Sequence, residues 1–117
     1  MDLYRFILDK GATVQFDCAG KEGAFELALD PDYGQKFPYD WQRAFMVKKL
    51  LDMGYEKQIT ISCDVDGPSL AFYNSGWGHG HLLSSFVPLL REIGVSEAQI
   101  LQMTRENPKR FLAHKYQ

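Results

Sequence analysis

Two segments of alternating apolar and polar residues, at 12–17 and 59–64, constrain the fold of this chain more than any other feature. Each has the period of two that is typical of a half-buried β-strand. Between them lies a helix-length segment that Asp40 can cap and that ends near Met53, before Gly54. Strands joined by a helical crossover pair in parallel, so the pattern predicts an α/β class.

The other segments have helical or loop character. A helix precedes the first strand and ends at Gly11, and a helix over residues 81–93 contains Pro88, which should kink or interrupt it. Ser96 begins a capping box for a helix that Asn107-Pro108 should break. We expect one partial domain over residues 1–117, divided into a helix end (1–10), two strand–loop–helix units (12–54 and 58–94) and C-terminal helices (95–117).

The central helix is expected to bury one apolar stripe. The stripe has helical spacing and leaves Arg43 on the solvated side. Its members are Trp41, Ala44, Phe45, Leu50 and Leu51.

Two strands are too few for a self-sufficient parallel sheet. Parallel sheets need cover on both faces, and an isolated pair of strands is marginally stable at best. The chain is therefore expected to be part of a larger barrel or sheet.

Composition excludes several classes of partner. Thirteen Lys and Arg residues against 15 Asp and Glu residues give a net charge of −2, without the clustered cations that a nucleic-acid interface needs. No apolar run approaches the roughly 18 residues that span a bilayer, so no membrane partner is expected. The start has no secretory signal, and Cys18 and Cys63 lie far apart, which favours a reduced, cytoplasmic setting.

Both predicted strands carry polar side chains on one face and end in a carboxylate. These side chains are Thr13, Gln15 and Asp17 on the first strand and Thr60, Ser62 and Asp64 on the second. Active sites of parallel barrels use residues that project from strand ends in this way. The alternative is that both aspartates only end their strands or cap the following turns.

Several motifs resemble the C-terminal part of the phosphotriesterase family in the amidohydrolase superfamily. They are GATVQFD at 11–17 with the later Gly-Lys pair at 20–21, Gln-Arg-Ala at 42–44, Ser-Cys-Asp at 62–64, and ENPKRFL at 106–112. Their order and spacing match the family over nearly the whole chain. The resemblance is closest to phosphotriesterase-related proteins, some of which act on lactones.

The resemblance implies strands seven and eight of a (β/α)8 barrel with a binuclear metal centre, usually zinc. It implies hydrolysis of ester, phosphotriester or lactone bonds, with Asp64 as a metal ligand that accepts a proton from the attacking water. The family's other ligands lie upstream of the matching segment. The alternative interpretation is therefore an inactive fragment or a non-enzymatic module, which associates with itself or with an N-terminal part.

The substrate, a small ester or lactone, is expected near four residues: Lys21, Trp77, Gly78 and His79. Lys21 would add positive charge at the barrel mouth, and the glycine-rich loop from Gly76 to Gly80 could bind an anion through its backbone N–H groups. An anion-binding module using these elements is a further alternative. We interpret His79 and His81 as loop residues and not as a metal-binding pair, because they do not share a strand.

Overall fold

The computed structural model describes residues 1–21, 38–65 and 78–113. The described elements are α1 (Asp2–Asp9), β1 (Val14–Phe16), α2 (Asp40–Asp52), a 3₁₀ turn (Glu56–Gln58), β2 (Ile59–Ile61), a π-helical turn (Leu82–Phe86) that continues into α3 (Val87–Glu92), α4 (Glu97–Leu101), a second π-helical turn (Gln102–Glu106) and α5 (Asn107–Leu112). No helix in these three ranges is long and apolar enough to span a membrane.

The two strands pair in parallel, as the alternation predicts. Val14 lies opposite Ile59, and Phe16 lies opposite Ile61. The hydrogen bonding continues past the strand ends, because Ser62 N donates to Phe16 O at 2.9 Å and Ala19 N donates to Ser62 O at 3.1 Å. This continuation fixes the two strand ends relative to each other.

The hydrophobic core lies on one side of this sheet. The apolar positions of the strands are directed into it, which leaves the polar positions on the opposite face. Helices α2 and α3 cover the core side. Its largest fully buried apolar side chains among the described residues are Leu8, Val47, Leu50, Ile59, Phe86, Leu90 and Met103.

The face that α2 buries differs from the prediction. Ala44, Leu50 and Leu51 are buried as expected, but the side chains of Trp41 and Phe45 are 55% and 51% exposed. Arg43, expected in solvent, is buried. The stripe was predicted from apolar character alone, whereas the buried face of α2 is completed by Arg43, which finds an anionic partner there.

Asp40 does not cap α2. It is the first residue of the helix, and Tyr39 occupies the cap position, where its N–H donates to Gln42 Oε1 at 2.8 Å. The carboxylate of Asp40 instead binds the side chain of Arg43 in α2 and groups outside the helix, as described below.

Neither internal proline breaks its helix. Pro88 and Pro108 each occupy the second position of an α-helical segment that directly follows a π-helical turn, and the backbone stays helical across both junctions. A proline lacks the N–H that an α-helix would use at that position, and a local π-turn accommodates the missing bond. The capping box at Ser96 is confirmed, with Gln99 N donating to Ser96 Oγ at 3.3 Å.

Asn107 ties the last helix to the start of β2. Its amide Nδ2 donates to the carbonyls of Glu56 and Ile59, both at 2.6 Å, and its Oδ1 accepts from Gln102 Nε2 at 2.7 Å. The side chain is buried, and so is its bond to the Ile59 carbonyl, whereas the other two bonds are partly buried. This arrangement explains physically why an asparagine precedes Pro108.

Candidate metal centre

The polar face of the sheet is open on the side opposite the core. Gln15 Nε2 donates to Ser62 Oγ at 3.0 Å, which links the two strands across this face. An open cleft of about 360 Å³ runs along it, lined also by Thr13, Thr60 and Phe111. The cleft thus combines polar strand side chains with the apolar Pro108, Phe111 and Leu112, and the strand residues lead to the carboxyl ends of both strands.

Three potential metal ligands meet at these strand ends. The ligand atoms of Asp17, Cys18 and Asp64 all lie within 4.8 Å of one another. Both aspartates are exposed, and Cys18 is half-buried. Within the described ranges this is the one such group of three, and it lies at the edge where the sequence predicts a site. Asp17 and Asp64 were predicted to lie there, whereas Cys18 was not.

Asp64 has an unusual backbone conformation and forms an ion pair with Lys21. It is the one non-glycine residue of the described chain with a positive φ, at 47°. Strained conformations of this kind cost about 1–3 kcal/mol and concentrate at functional sites. Its Oδ2 lies 2.6 Å from Nζ of Lys21, whose side chain is 10% exposed against 50% for Asp64.

The thiol of Cys18 is held in its protonated form. Burial raises its pKa to about 11, and Asp17 adds to the effect through a hydrogen bond and its negative charge. Cys18 Sγ donates to Asp17 Oδ1 at 3.2 Å. Without a bound cation to offset these effects, Cys18 is neutral at neutral pH.

A cluster of ionic side chains packs against the loop that follows β1, next to the carboxyl edge of the sheet. Asp40 Oδ1 accepts from Gly20 N at 2.9 Å and from Arg43 Nη1 at 2.8 Å. Its Oδ2 lies 2.7 Å from His81 Nε2. We refer to Asp40, Arg43 and His81 as the Asp40 cluster. Sequence reasoning missed it, because an aspartate at a helix start has the signature of a cap.

The remaining predicted site residues lie in the turn before the helix at residue 81 or outside the described residues. Gly78 is buried and His79 is exposed, in the turn that leads into the helix at residue 81. Trp77 and Gly76 lie outside the described residues. His81 is a partner of Asp40 and not a solvated loop residue.

The donor set at the strand ends fits one divalent cation. Carboxylate oxygens and a thiolate are zinc ligands, and three protein donors are the usual number in a catalytic zinc site. The position beside Asp64 already holds a cationic group, the ammonium of Lys21. Asp17, Cys18 and Asp64 could thus hold one ion.

The comparisons with known proteins define the class. The chain has a TM-score of 0.78 and 33% identity to the crystal structure of the Escherichia coli phosphotriesterase homology protein complexed with phosphate in its active site, covering 93% of this chain and 33% of that one. With an organophosphorus hydrolase from Deinococcus radiodurans the TM-score is 0.71 at 26% identity, covering 94% of this chain and 33% of the other. These neighbours are phosphotriesterase-like TIM barrels, and this chain has the parallel strand pair and helices of a partial α/β fold.

The sequence comparisons then define the family. The sequence model of the phosphotriesterase family matches residues 2–112, and the chain belongs to that family. It is 34% identical over 105 residues to the phosphotriesterase homology protein of Escherichia coli strain K12, covering 90% of this chain and 32% of that protein. It is 31% identical over 120 residues to N-acetyltaurine hydrolase of Bos taurus, covering 95% of this chain and 34% of that protein. The chain spans about a third of the length of these relatives.

Proposed function

We propose that this chain is the C-terminal segment of a metal-dependent hydrolase that acts on ester, phosphotriester or lactone bonds. Its strands would be the seventh and eighth of a (β/α)8 barrel, and their polar face would be directed into the barrel. Family membership supports the hydrolase class, and the named relatives include an organophosphorus hydrolase and an N-acetyltaurine hydrolase.

The observation that carries the proposal is Asp64. It follows β2 at the carboxyl edge of the sheet, holds a left-handed backbone and faces the ammonium group of Lys21. A carboxylate in this position can ligate a cation and accept a proton. Its place beside Asp17 and Cys18, whose ligand atoms lie within 4.8 Å of its own, favours a ligand role over a turn cap.

Different residues of this chain would bind the metal ion, accept the proton and contact the substrate. Asp64, with Asp17 and Cys18 beside it, would hold one metal ion, usually zinc in this family. The metal supplies activated water and polarises the substrate oxygen when bound. Asp64 would orient the water and accept its proton. Lys21, Trp77, Gly78 and His79 would contact the substrate at the mouth of the barrel.

The alternative of an anion-binding module has less support. Nζ of Lys21 already contacts a carboxylate, so an anion would have to compete with Asp64 for the ammonium group. The isolated chain would still lack hydrolytic activity, because a binuclear site needs ligands beyond those at its own strand ends.

A chimera tests the proposal. Residues 2–112 would replace the matching third of the Escherichia coli phosphotriesterase homology protein, and turnover would be measured with an aryl phosphotriester, an aryl ester and a lactone. We expect zinc-dependent hydrolysis of at least one of them. Asp64→Asn should lower kcat/KM more than about a hundredfold, because a positioned proton acceptor contributes at least that factor.

The matched control is Asp52→Asn. Asp52 is exposed on α2 and pairs with Lys48, so its loss should leave turnover unchanged. An Asp64→Asn chimera that retains full turnover would exclude the assigned role of Asp64.

A further inference from the structure

The Asp40 cluster joins three segments that are distant in the chain. The carboxylate contacts the loop after β1 through Gly20, its own helix through Arg43, and the start of the helix near residue 81 through His81. Asp40 and Arg43 are both buried. The cluster therefore lies at a junction behind the strand ends and not at the surface.

Arg43 extends the junction to Lys21. While its Nη1 donates to Asp40, its Nη2 donates to the backbone carbonyl of Lys21 at 2.6 Å. On the other side, Ala19 N donates to Ser62 O. The loop of residues 19–21 is thus fixed to the sheet at one end and to α2 at the other.

The energetics of the buried ion pair between Asp40 and Arg43 favour a role in fixing the local geometry. A buried ion pair contributes little net stability, because the desolvation of both charges offsets most of their attraction. Well-packed apolar residues of similar volume often replace such pairs without loss. Burial of Asp40 and Arg43 is better explained by the fixed donors and acceptors that they present to Gly20 and Lys21.

We propose that Asp40 is a positioning residue that places the ammonium group of Lys21 against Asp64. The path runs from Asp40 to Gly20 N directly and, through Arg43, to the carbonyl of Lys21. The ammonium group of Lys21 then reaches Asp64 Oδ2 at 2.6 Å. The functional meaning of this placement rests on the proposed role of Asp64 as a metal ligand. The ammonium group of Lys21 then competes with a metal ion for the carboxylate of Asp64.

The first measurement does not depend on any metal. In the full 117-residue chain at pH 7, the ¹³Cγ resonance of Asp64 reports its ion pair, and Lys21→Met defines the resonance without the ammonium. We expect Asp40→Ala to move this resonance most of the way to the Lys21→Met position. Asp40→Asn, which keeps an oxygen acceptor for Gly20 N, should restore most of the original value.

Asp52→Ala is the control on the same helix, and it should leave the Asp64 resonance in place. If Asp40→Ala does not fold, Arg43→Gln provides the same test, because it removes the bond to the Lys21 carbonyl. A folded Asp40→Ala or Arg43→Gln chain with an unchanged Asp64 resonance would overturn the proposal. A loss of melting temperature alone, without that shift, would assign Asp40 a structural role only and would also overturn it.

The second measurement is a zinc titration followed at the same resonance. Asp40→Ala should tighten zinc binding about fivefold, since a released Lys21 no longer competes for Asp64. In the Lys21→Met background the same substitution should have no further effect. An equal effect in both backgrounds would show that Asp40 does not act through Lys21. If the original chain binds no zinc, the proposed metal site fails, while the metal-free measurement still decides the role of Asp40.

Discussion

Lys21 Nζ and Asp64 Oδ2 lie 2.6 Å apart at the carboxyl edge of the sheet, although the two residues are 43 positions apart in the chain. The cation is the inner partner and the anion the outer one, because the Lys21 side chain is mostly buried and that of Asp64 is half exposed. An ion arriving from solvent therefore meets the carboxylate before the ammonium, and it competes with Lys21 for the same oxygen.

The first prediction concerns this competition. Lys21→Met keeps most of the aliphatic side chain and removes the charge, so zinc should bind the full chain about fivefold more tightly, as expected for the loss of an ion pair worth about 1 kcal/mol. Isothermal titration calorimetry measures the change. The Lys48→Met variant, which removes a cation from the exposed pair on α2, serves as the control. Weaker zinc binding by Lys21→Met would contradict the competition.

The second prediction concerns the thiol at the strand end. Burial and Asp17 raise the pKa of Cys18 to about 11 from an ordinary value of 9.0, so the thiolate fraction near pH 8 is about a hundredfold smaller than for an ordinary thiol. In a Cys63→Ala background, alkylation by iodoacetamide should be slow at pH 8 and accelerate until about pH 11. Asp17→Asn should move the profile to lower pH. A rate plateau near pH 9 in the unsubstituted site would contradict this expectation.

The third prediction concerns the buried amide that holds the last helix. Asn107→Ala removes two hydrogen bonds to the carbonyls of Glu56 and Ile59 and should lower the free energy of unfolding by about 3 kcal/mol. Urea denaturation measures this change in the free energy of unfolding. Lys109→Ala, exposed on the same helix, should change stability by less than about 0.5 kcal/mol. Similar losses in both variants would contradict the assigned role of Asn107.

The fourth prediction separates two glycines by backbone conformation. Gly54 ends α2 with a φ of 89°, whereas Gly80 lies outside the left-handed region, and an added Cβ would meet no atom of the described residues within 4 Å at either position. Gly54→Ala should therefore destabilise the chain by about 1 kcal/mol through backbone strain alone. Gly80→Ala should be neutral or slightly stabilising. Thermal unfolding of the two variants, compared side by side, tests the difference.

The fifth prediction concerns pH. Hydrogen bonding from Arg91 lowers the pKa of Glu97 below its ordinary value of 4.5. The stabilisation from this pair is therefore present above the ordinary pKa and is lost as the pH falls through the lower, folded-state pKa. The side-chain ¹³C resonance of Glu97 should titrate below pH 4.5, and Arg91→Ala should return the midpoint to that value. An unchanged midpoint in Arg91→Ala would contradict the cause.

The sheet and its polar face could be predicted from the sequence because both follow from a local period of two. Parallel pairing followed from the helix between the strands, and the carboxylates at both strand ends followed from their positions. Cys63 is buried for the same reason, since it lies on the apolar side of that alternation.

The Asp40 cluster and the π-helical turns could not be predicted in this way. A pattern of residue types assigns Arg43 to solvent, because the anion that makes its burial favourable is supplied by tertiary packing. Likewise, a proline rule predicts a break at Pro108, because it considers the missing N–H and not the wider turn that accommodates it. The contact between Lys21 and Asp64 also depends on long-range placement.

The pairing of Val14 with Ile59 sets the strand register on which the geometry of the site depends. Displacement of one strand along the other by a single position would invert its two surfaces, so that Ile59 and Ile61 would be turned outward and Thr60 inward among apolar side chains. The same shift would separate the Asp64 carboxylate from the largely buried ammonium group of Lys21 and so remove a favourable ionic contact. The same charge that is proposed to serve chemistry thus also rejects misaligned forms of the folding chain.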